Sequence, residues 1–276
     1  SATFLYEFSQ NIGKEMIDVT LLVPMGADPH DWEPTIRDTE RLQKADMIIV
    51  NGIGYEHWLN SLELSDIAGI LVDTSNGIST LDSANHDEEK HDDHAKEDGH
   101  DDEDNHNHGV LDPHIWLNPV FAQLQVKNIA NALSNSDPTN KNYYQSNAAI
   151  YNQKLNLLDT KIRTELSGCK TDFITFHDAF SYFSEEYGLT QHTIISSTDS
   201  HGDVTPKTLE HIISLARELN IKVIFAEENT STKTSQVIAD EIGGKVLVLS
   251  PLEIVSDETY VEKMTQNLES LKDALC

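Results

Sequence analysis

Short, continuously apolar runs alternate with amphipathic helical patterns along most of this 276-residue chain. Strands buried on both faces have this uninterrupted apolar character, and strand–helix alternation is typical of parallel sheets covered by helices. The pattern predicts an α/β fold made of two lobes, each a parallel sheet flanked by helices. The predicted strands are residues 19–23, 47–50, 69–73, 173–176, 192–196, 223–226 and 246–249.

The most regular segment lies in the middle of the chain, at residues 139–166. Its apolar side chains recur every three or four positions, which predicts one helix of about 28 residues and ~42 Å. Such a helix is either a coiled-coil arm or a rigid strut between two lobes, and two lobes would place a ligand cleft at their interface. The stripe consists of Tyr144, Ala148, Tyr151, Leu155, Leu158 and Ile162.

The domain boundaries follow from these patterns. We predict an N-terminal α/β lobe at 1–136, a connecting helix at 137–168 and a C-terminal α/β lobe at 169–276. Within the first lobe, residues 82–109 carry no core pattern and are expected to form a disordered loop. This loop is rich in Asp and Glu and holds six histidines, which offer many weak metal sites; the alternative is a merely solvated acidic linker. The histidines are His86, His91, His94, His100, His106 and His108.

Composition excludes several classes of protein. The chain has 47 acidic and 19 basic residues and a formal charge of −28, which argues against nucleic acid as a partner. No apolar run approaches the ~18 residues of a membrane span. The chain opens at Ser1 without an initiator Met, which indicates a processed or trimmed product. Two cysteines without a C-x-x-C pair exclude a thioredoxin site and fit either one disulfide or two inert thiols.

Three histidines share one placement, in a loop at or near a predicted strand or helix end. His30 follows the first predicted strand, His114 opens a helical segment, and His177 directly ends the strand at 173–176. Loops at strand ends are where a scaffold displays functional side chains. Neutral imidazoles that converge from separate loops would suit zinc.

Several long motifs resemble the metal-specific solute-binding proteins of ABC importers (cluster A-I), above all their zinc-binding branch, nearly from end to end. They are Leu-Tyr-Glu-Phe at 5–8, Val-Thr-Leu-Leu-Val-Pro at 19–24, Pro-His-Asp-Trp-Glu-Pro at 29–34, Asp-Pro-His-Ile-Trp-Leu-Asn-Pro at 112–119, His-Asp-Ala-Phe-Ser-Tyr-Phe at 177–183, Pro-Lys-Thr-Leu at 206–209, Ile-Phe-Ala-Glu-Glu-Asn at 224–229 and Val-Leu-Val-Leu-Ser-Pro-Leu-Glu at 246–253.

The resemblance implies a function and a site. The expected function is capture of Zn²⁺ in the periplasm or another extracytoplasmic space and delivery to a membrane ABC permease, by a monomer that is not an enzyme. His30, His114 and His177 match the histidines that bind the metal between two lobes, and the long helix matches the strut that joins them. Relatives begin with one more strand, so this chain is expected to begin after it.

The fourth coordination position is less defined by the resemblance. Manganese-binding relatives place a carboxylate where this chain has Ser250, so we expect a water or a group from elsewhere there, with His201 a distant candidate. Carboxylates that could orient the imidazoles are Asp178, Asp203, Glu227 and Glu228. Zinc relatives can tie down their C-terminal helix with a disulfide, which implies a Cys169–Cys276 pair.

Three other functions remain open from the sequence. Three histidines plus water is also the arrangement of a zinc hydrolase, although no H-E-x-x-H or G-x-S-x-G motif is present. A manganese-binding relative is disfavoured because three nitrogen donors prefer zinc. A zinc buffer or adhesin cannot be separated from an importer component by sequence.

Overall fold

The structure, a computed structural model, describes residues 2–24, 27, 29, 31–61, 67–81, 111–195, 204–228, 232–254 and 257–276. Its helices are α1 (Thr3–Gly13), α2 (Ile36–Lys44), α3 (Pro119–Ser136), α4 (Lys141–Leu166), α5 (Ser181–Tyr187), α6 (Pro206–Glu218), α7 (Lys233–Ile242) and α8 (Tyr260–Leu275). Its strands are β1 (Met47–Val50), β2 (Ile70–Asp73), β3 (Asp172–Thr175), β4 (Thr190–Thr193), β5 (Val223–Ala226) and β6 (Lys245–Val248).

These strands form two parallel sheets, as the apolar pattern predicts. The first pairs β1 with β2, and the second has the order β4-β3-β5-β6. We call the elements up to α3 the N-terminal lobe and those from β3 onward the C-terminal lobe. The predicted two-lobe α/β fold is confirmed. The finer division at 1–136, 137–168 and 169–276 stays a prediction.

Helix α4 has 26 residues and links the lobes, close to its predicted bounds. It packs against α1 and α3, which precede it in the sequence, and against α8 at the C-terminal end of the chain. The predicted stripe is buried along it: Tyr144, Ala148, Tyr151, Leu155, Leu158 and Ile162 all lie in the core that both lobes share. The strut interpretation therefore holds, because a coiled-coil arm would project from the body instead.

One predicted strand is absent from this structure. Residues 19–23 form no strand among the described residues. An apolar run becomes a strand only where a neighbouring strand supplies hydrogen-bond partners. Residues 17–22 lie near β1 without pairing to it: they line a cavity of about 740 Å³ together with residues 46–49. The strand predicted at 192–196 also lies earlier, at Thr190–Thr193, where it pairs with β3.

The disulfide implied by the resemblance is present. Cys169 and Cys276 are bonded, with their Cα atoms 4.7 Å apart. The neighbouring backbone is bonded as well, since the Lys170 amide donates to the Leu275 carbonyl at 3.0 Å. The end of α8 is thereby fixed beside the start of β3, the strand that leads to His177.

Several predictions fall outside the described residues. These are the sites at His30, His201 and Asp203, and the predicted disordered loop at 82–109 with its six histidines. Among the helices that the structure does describe, we find none with the length and apolar character that crossing a membrane requires.

Candidate metal centre

His114 is placed at the end of the first sheet. It caps a short 3-10 helix, Ile115–Leu117, that leads into α3. Asn51, the residue directly after β1, donates from Nδ2 to the Pro113 carbonyl at 2.8 Å. The imidazole is fully buried. The polar end of β1 therefore fixes the backbone from which His114 projects.

His177 lies at the corresponding edge of the second sheet. It comes two residues after β3, and its carbonyl accepts hydrogen bonds from Thr175 Oγ1 at 2.9 Å and from Gln191 Nε2 at 3.0 Å. Glu227 directly follows the adjacent strand β5, and its Oε1 accepts from the His177 amide at 3.2 Å. The carboxyl ends of neighbouring parallel strands meet at one edge of a sheet, which is where α/β folds bind ligands.

A third side chain, Glu253, reaches the same place from the loop after β6. Glu253 is buried, with 8% of its surface exposed. Within the described residues, His114, His177 and Glu253 form a group that could hold a metal ion, with one ligand atom from each residue lying within 4.8 Å of the others. The cluster joins one residue of the N-terminal lobe to two of the C-terminal lobe.

Two separations inside this cluster, both measured from His114, match zinc coordination. Nε2 of His114 lies 3.5 Å from Nε2 of His177 and 3.3 Å from Oε1 of Glu253. Two ligand atoms of a tetrahedral zinc with bonds of ~2.0–2.1 Å lie about 3.3–3.4 Å apart. The two distances measured from His114 therefore fit a zinc ion between these atoms.

Carboxylates hold the outer nitrogen of each imidazole. Nδ1 of His114 contacts Asp112 Oδ1 at 2.7 Å, and Nδ1 of His177 contacts Glu227 Oε1 at 2.5 Å. A carboxylate accepts hydrogen bonds, so each Nδ1 carries the proton. Each Nε2 is directed to the other and is left available to a metal ion. This arrangement orients both imidazoles and raises their basicity as ligands.

The buried negative charges around the cluster would be stabilised by a cation. Asp112, Glu227 and Glu253 are all buried, and buried carboxylates are stable only when paired or bound to a metal. Burial disfavours a charged imidazole, but the carboxylates of Asp112 and Glu253 outweigh it and raise the pKa of His114 to about 10. Without a metal, a proton on His114 therefore supplies positive charge. A zinc ion would replace that proton with a larger charge.

Other predicted residues have different partners. Asp178 is buried beside His177, where its Oδ1 accepts from Ser181 Oγ at 2.7 Å. Glu228 forms an ion pair with Lys263 at 2.8 Å rather than with an imidazole. The Ser250 hydroxyl accepts from the Leu252 amide at 3.2 Å, which is a turn-capping arrangement.

Two residues of this candidate site were not singled out by the sequence analysis. Glu253 closes the Leu-Ser-Pro-Leu-Glu motif, but the resemblance to manganese-binding relatives directed attention to Ser250. The turn at Leu252, which carries the chain on to Glu253, has no periodic signal in the sequence. Asp112 stands two residues before His114 in Asp-Pro-His. A carboxylate so close to a candidate ligand was a usable signal for a group that orients the imidazole.

Known proteins resemble this chain over nearly all of its length. The family model described as ZnuA, zinc-uptake complex component A, periplasmic, matches residues 1–274. The high-affinity zinc uptake system protein ZnuA of Bacillus subtilis is 42% identical over 280 residues, covering 98% of this chain and 85% of that protein. The zinc-binding protein AdcA of Streptococcus pyogenes serotype M6 is 33% identical, but this chain spans only 54% of its length.

Similarity in structure agrees with similarity in sequence. The crystal structure of ZnuA superimposes with a TM-score of 0.84 at 30% identity, covering all of this chain and 97% of the other. These relatives are solute-binding proteins, not enzymes, so the hydrolase alternative is not favoured. This chain belongs to the ZnuA family of periplasmic zinc-uptake components.

Proposed function

We propose that the protein captures extracytoplasmic Zn²⁺ at His30, His114, His177 and Glu253 and delivers it to an ABC permease. The observation that carries this proposal is the spacing of the ligand atoms, 3.5 Å between the two Nε2 atoms and 3.3 Å from His114 to Glu253. His30 lies outside the described residues, and its place in the site rests on the resemblance of its motif.

Zinc is the metal that this donor set favours. Imidazole nitrogens with one carboxylate oxygen suit a tetrahedral zinc, whereas manganese prefers more oxygen ligands. Four protein ligands also close the coordination sphere, which suits storage and transfer of an ion. A hydrolase would instead keep one position for water.

Delivery follows from the way the lobes are joined. Helix α4 packs against elements of both lobes, so opening of the cleft is limited in amplitude. Release of the ion would then need the permease to separate the ligands of the two lobes. We place the protein in the periplasm or anchored at the outer face of the membrane, acting as a monomer.

The histidines at 86, 91, 94, 100, 106 and 108 have an auxiliary role in this proposal. Imidazoles interleaved with Asp and Glu bind zinc weakly and exchange it rapidly. Such a segment would raise the zinc concentration near the cleft. It does not replace the buried cluster, whose ligands are already oriented by carboxylates.

Competition titration against a zinc chelator tests the site. Replacing His30, His114 or His177 singly with Ala should weaken zinc binding by more than the roughly 10–100-fold that loss of an orienting group costs. The matched control is His192→Ala, because His192 pairs with Asp172 at 2.9 Å beside β3 and outside the cluster. Wild-type affinity in both His114→Ala and His177→Ala would refute the proposal.

A further inference from the structure

The turn that carries Glu253 is held by side chains of the opposite lobe. Trp116 donates from Nε1 to the Pro251 carbonyl at 2.8 Å, across 135 positions of sequence. Thr3, in α1, donates from Oγ1 to the Leu252 carbonyl at 3.0 Å. The two residues that precede Glu253 are therefore each bonded to the N-terminal lobe.

This turn has a backbone conformation that needs support. Leu252 has φ of +62°, in the left-handed region that costs free energy for a residue with a large side chain. From the C-terminal lobe, the side chain of Asn267 bonds both the amide and the carbonyl of Ser250, at 2.8 and 2.7 Å. Trp116 and Thr3 supply the bonds on the following two carbonyls.

The indole of Trp116 is itself fixed in place. It is fully buried, stacks on Phe4 with ring centroids 4.5 Å apart and meets the ring of Tyr55 at 5.0 Å. Its own carbonyl accepts from the Tyr260 hydroxyl of the C-terminal lobe at 2.6 Å. Trp116 is therefore bonded to the other lobe through both its side chain and its backbone.

We infer that Trp116, assisted by Thr3, is a positioning residue that holds Glu253 at coordinating distance from His114. Trp116 lies two residues after His114, and its partner Pro251 lies two residues before Glu253. One buried hydrogen bond thus ties together the segments that carry ligands from different lobes. The inference rests on the proposed zinc site.

Trp116→Phe tests the inference, because phenylalanine keeps a buried aromatic ring and removes the donor. We expect zinc affinity to fall about tenfold, as when a buried acceptor loses its partner. The same substitution in a Glu253→Gln protein should change affinity less than about twofold, since the group that Trp116 positions no longer coordinates as a charged oxygen. This dependence on Glu253 is a result that general loosening of the fold would not produce.

Two further variants complete the experiment. Trp58→Phe is the matched control, because Trp58 is a buried tryptophan of the N-terminal lobe in the separate cluster with Leu42, Ile48 and Val50, and its replacement should leave affinity unchanged. Thr3→Val removes the second donor without changing side-chain size. It should weaken binding a few-fold in wild type and not in Glu253→Gln, even if Trp116→Phe fails to fold.

The outcomes separate this inference from the proposed function. The positioning role is overturned if Trp116→Phe lowers zinc affinity equally in the wild-type and Glu253→Gln backgrounds. It is also overturned if neither Trp116→Phe nor Thr3→Val lowers zinc affinity in the wild-type background. Wild-type affinity in Glu253→Gln while His114→Ala loses zinc overturns the inference and leaves the histidine site standing. Wild-type affinity in both His114→Ala and His177→Ala overturns the proposed function itself.

Discussion

Nε2 of His114 lies 3.5 Å from Nε2 of His177, although the two residues are 63 positions apart and belong to different lobes. Each imidazole is turned toward the other by a carboxylate on its Nδ1. The lobes therefore already have the separation that two ligands of one tetrahedral zinc require. Binding of an ion between these two atoms therefore needs little further approach of His114 and His177.

Replacing Glu253 with Gln should weaken zinc binding by roughly 10- to 100-fold while the fold is kept. The amide has the shape of the carboxylate but no charge, and charged oxygen is the stronger zinc ligand. Competition titration measures the effect, with Glu258→Gln as the control because Glu258 is an exposed carboxylate on the same segment. An unchanged affinity for Glu253→Gln would remove Glu253 from the coordination sphere.

Asp112→Asn and Glu227→Gln should each weaken zinc binding by roughly 10–100-fold. Each amide no longer fixes the proton on Nδ1, so the imidazole loses its preferred orientation and some basicity. Asp172→Asn is the matched control, since Asp172 contacts His192 at 2.9 Å outside the cluster. If all three variants bind zinc equally well, the carboxylates do not act through the imidazoles.

Much of the fold could be predicted because apolar periodicity is a local signal. The stripe from Tyr144 to Ile162 predicts α4, and the apolar runs predict β1 and β5 within their observed bounds. Residues 19–23 show the limit of this approach. Their composition suits a strand, but a strand forms only beside another strand that supplies hydrogen-bond partners, and composition does not specify that partner.

The sequence analysis singled out those residues of the candidate site that lie at or directly after the ends of strands and helices. His114 and His177 stand at strand or helix ends, and Glu227 follows β5 directly. Glu253 was missed because its position depends on the left-handed conformation of Leu252 and on donors from a distant lobe. Neither feature can be read from the sequence of residues 249–253, where the resemblance to manganese-binding relatives had singled out Ser250.

Zinc affinity should rise with pH between 6.5 and 9. The carboxylates around His114 raise its pKa from 6.5 to about 10 in the metal-free protein, where burial alone would lower it. The imidazolium thus adds to metal-free stability fully below pH 6.5, and this contribution is lost as pH rises through about 10. Zinc must displace this proton, so zinc affinity increases as pH rises, by up to about tenfold per pH unit.

Competition titrations at pH 6.5, 7.5 and 8.5 measure this linkage, and calorimetry in buffers of different ionisation enthalpy counts the released protons. We expect close to one proton from His114 at pH 7.5. In Asp112→Asn, which removes one carboxylate partner of His114, the slope should decrease. A flat affinity from pH 7.5 to 8.5 would contradict the raised pKa.

Removing the disulfide should lower the free energy of unfolding and leave the metal site in place. Cys169 and Cys276 enclose 107 positions, and closing a loop of that size stabilises by roughly 4–5 kcal/mol in the chain-entropy model. Urea denaturation of the Cys169→Ser/Cys276→Ser double variant measures the loss, and zinc titration checks the site. A loss below about 1 kcal/mol would show that the cross-link is not a main source of stability.

Deleting residues 86–108 should remove weak zinc equivalents and preserve one tight site. The ends of the wider segment are already joined, because the Asp112 amide donates to the Leu81 carbonyl at 3.0 Å and the Leu81 amide donates to Tyr182 Oη at 3.0 Å. Shortening the chain between them therefore requires no movement of Asp112, which orients His114. Calorimetry of both proteins separates the tight and weak equivalents, with a variant that keeps the length but replaces the six histidines by Asn as the control. Disappearance of the tight equivalent in both altered proteins would make the histidine-rich segment the primary binder and the buried cluster secondary.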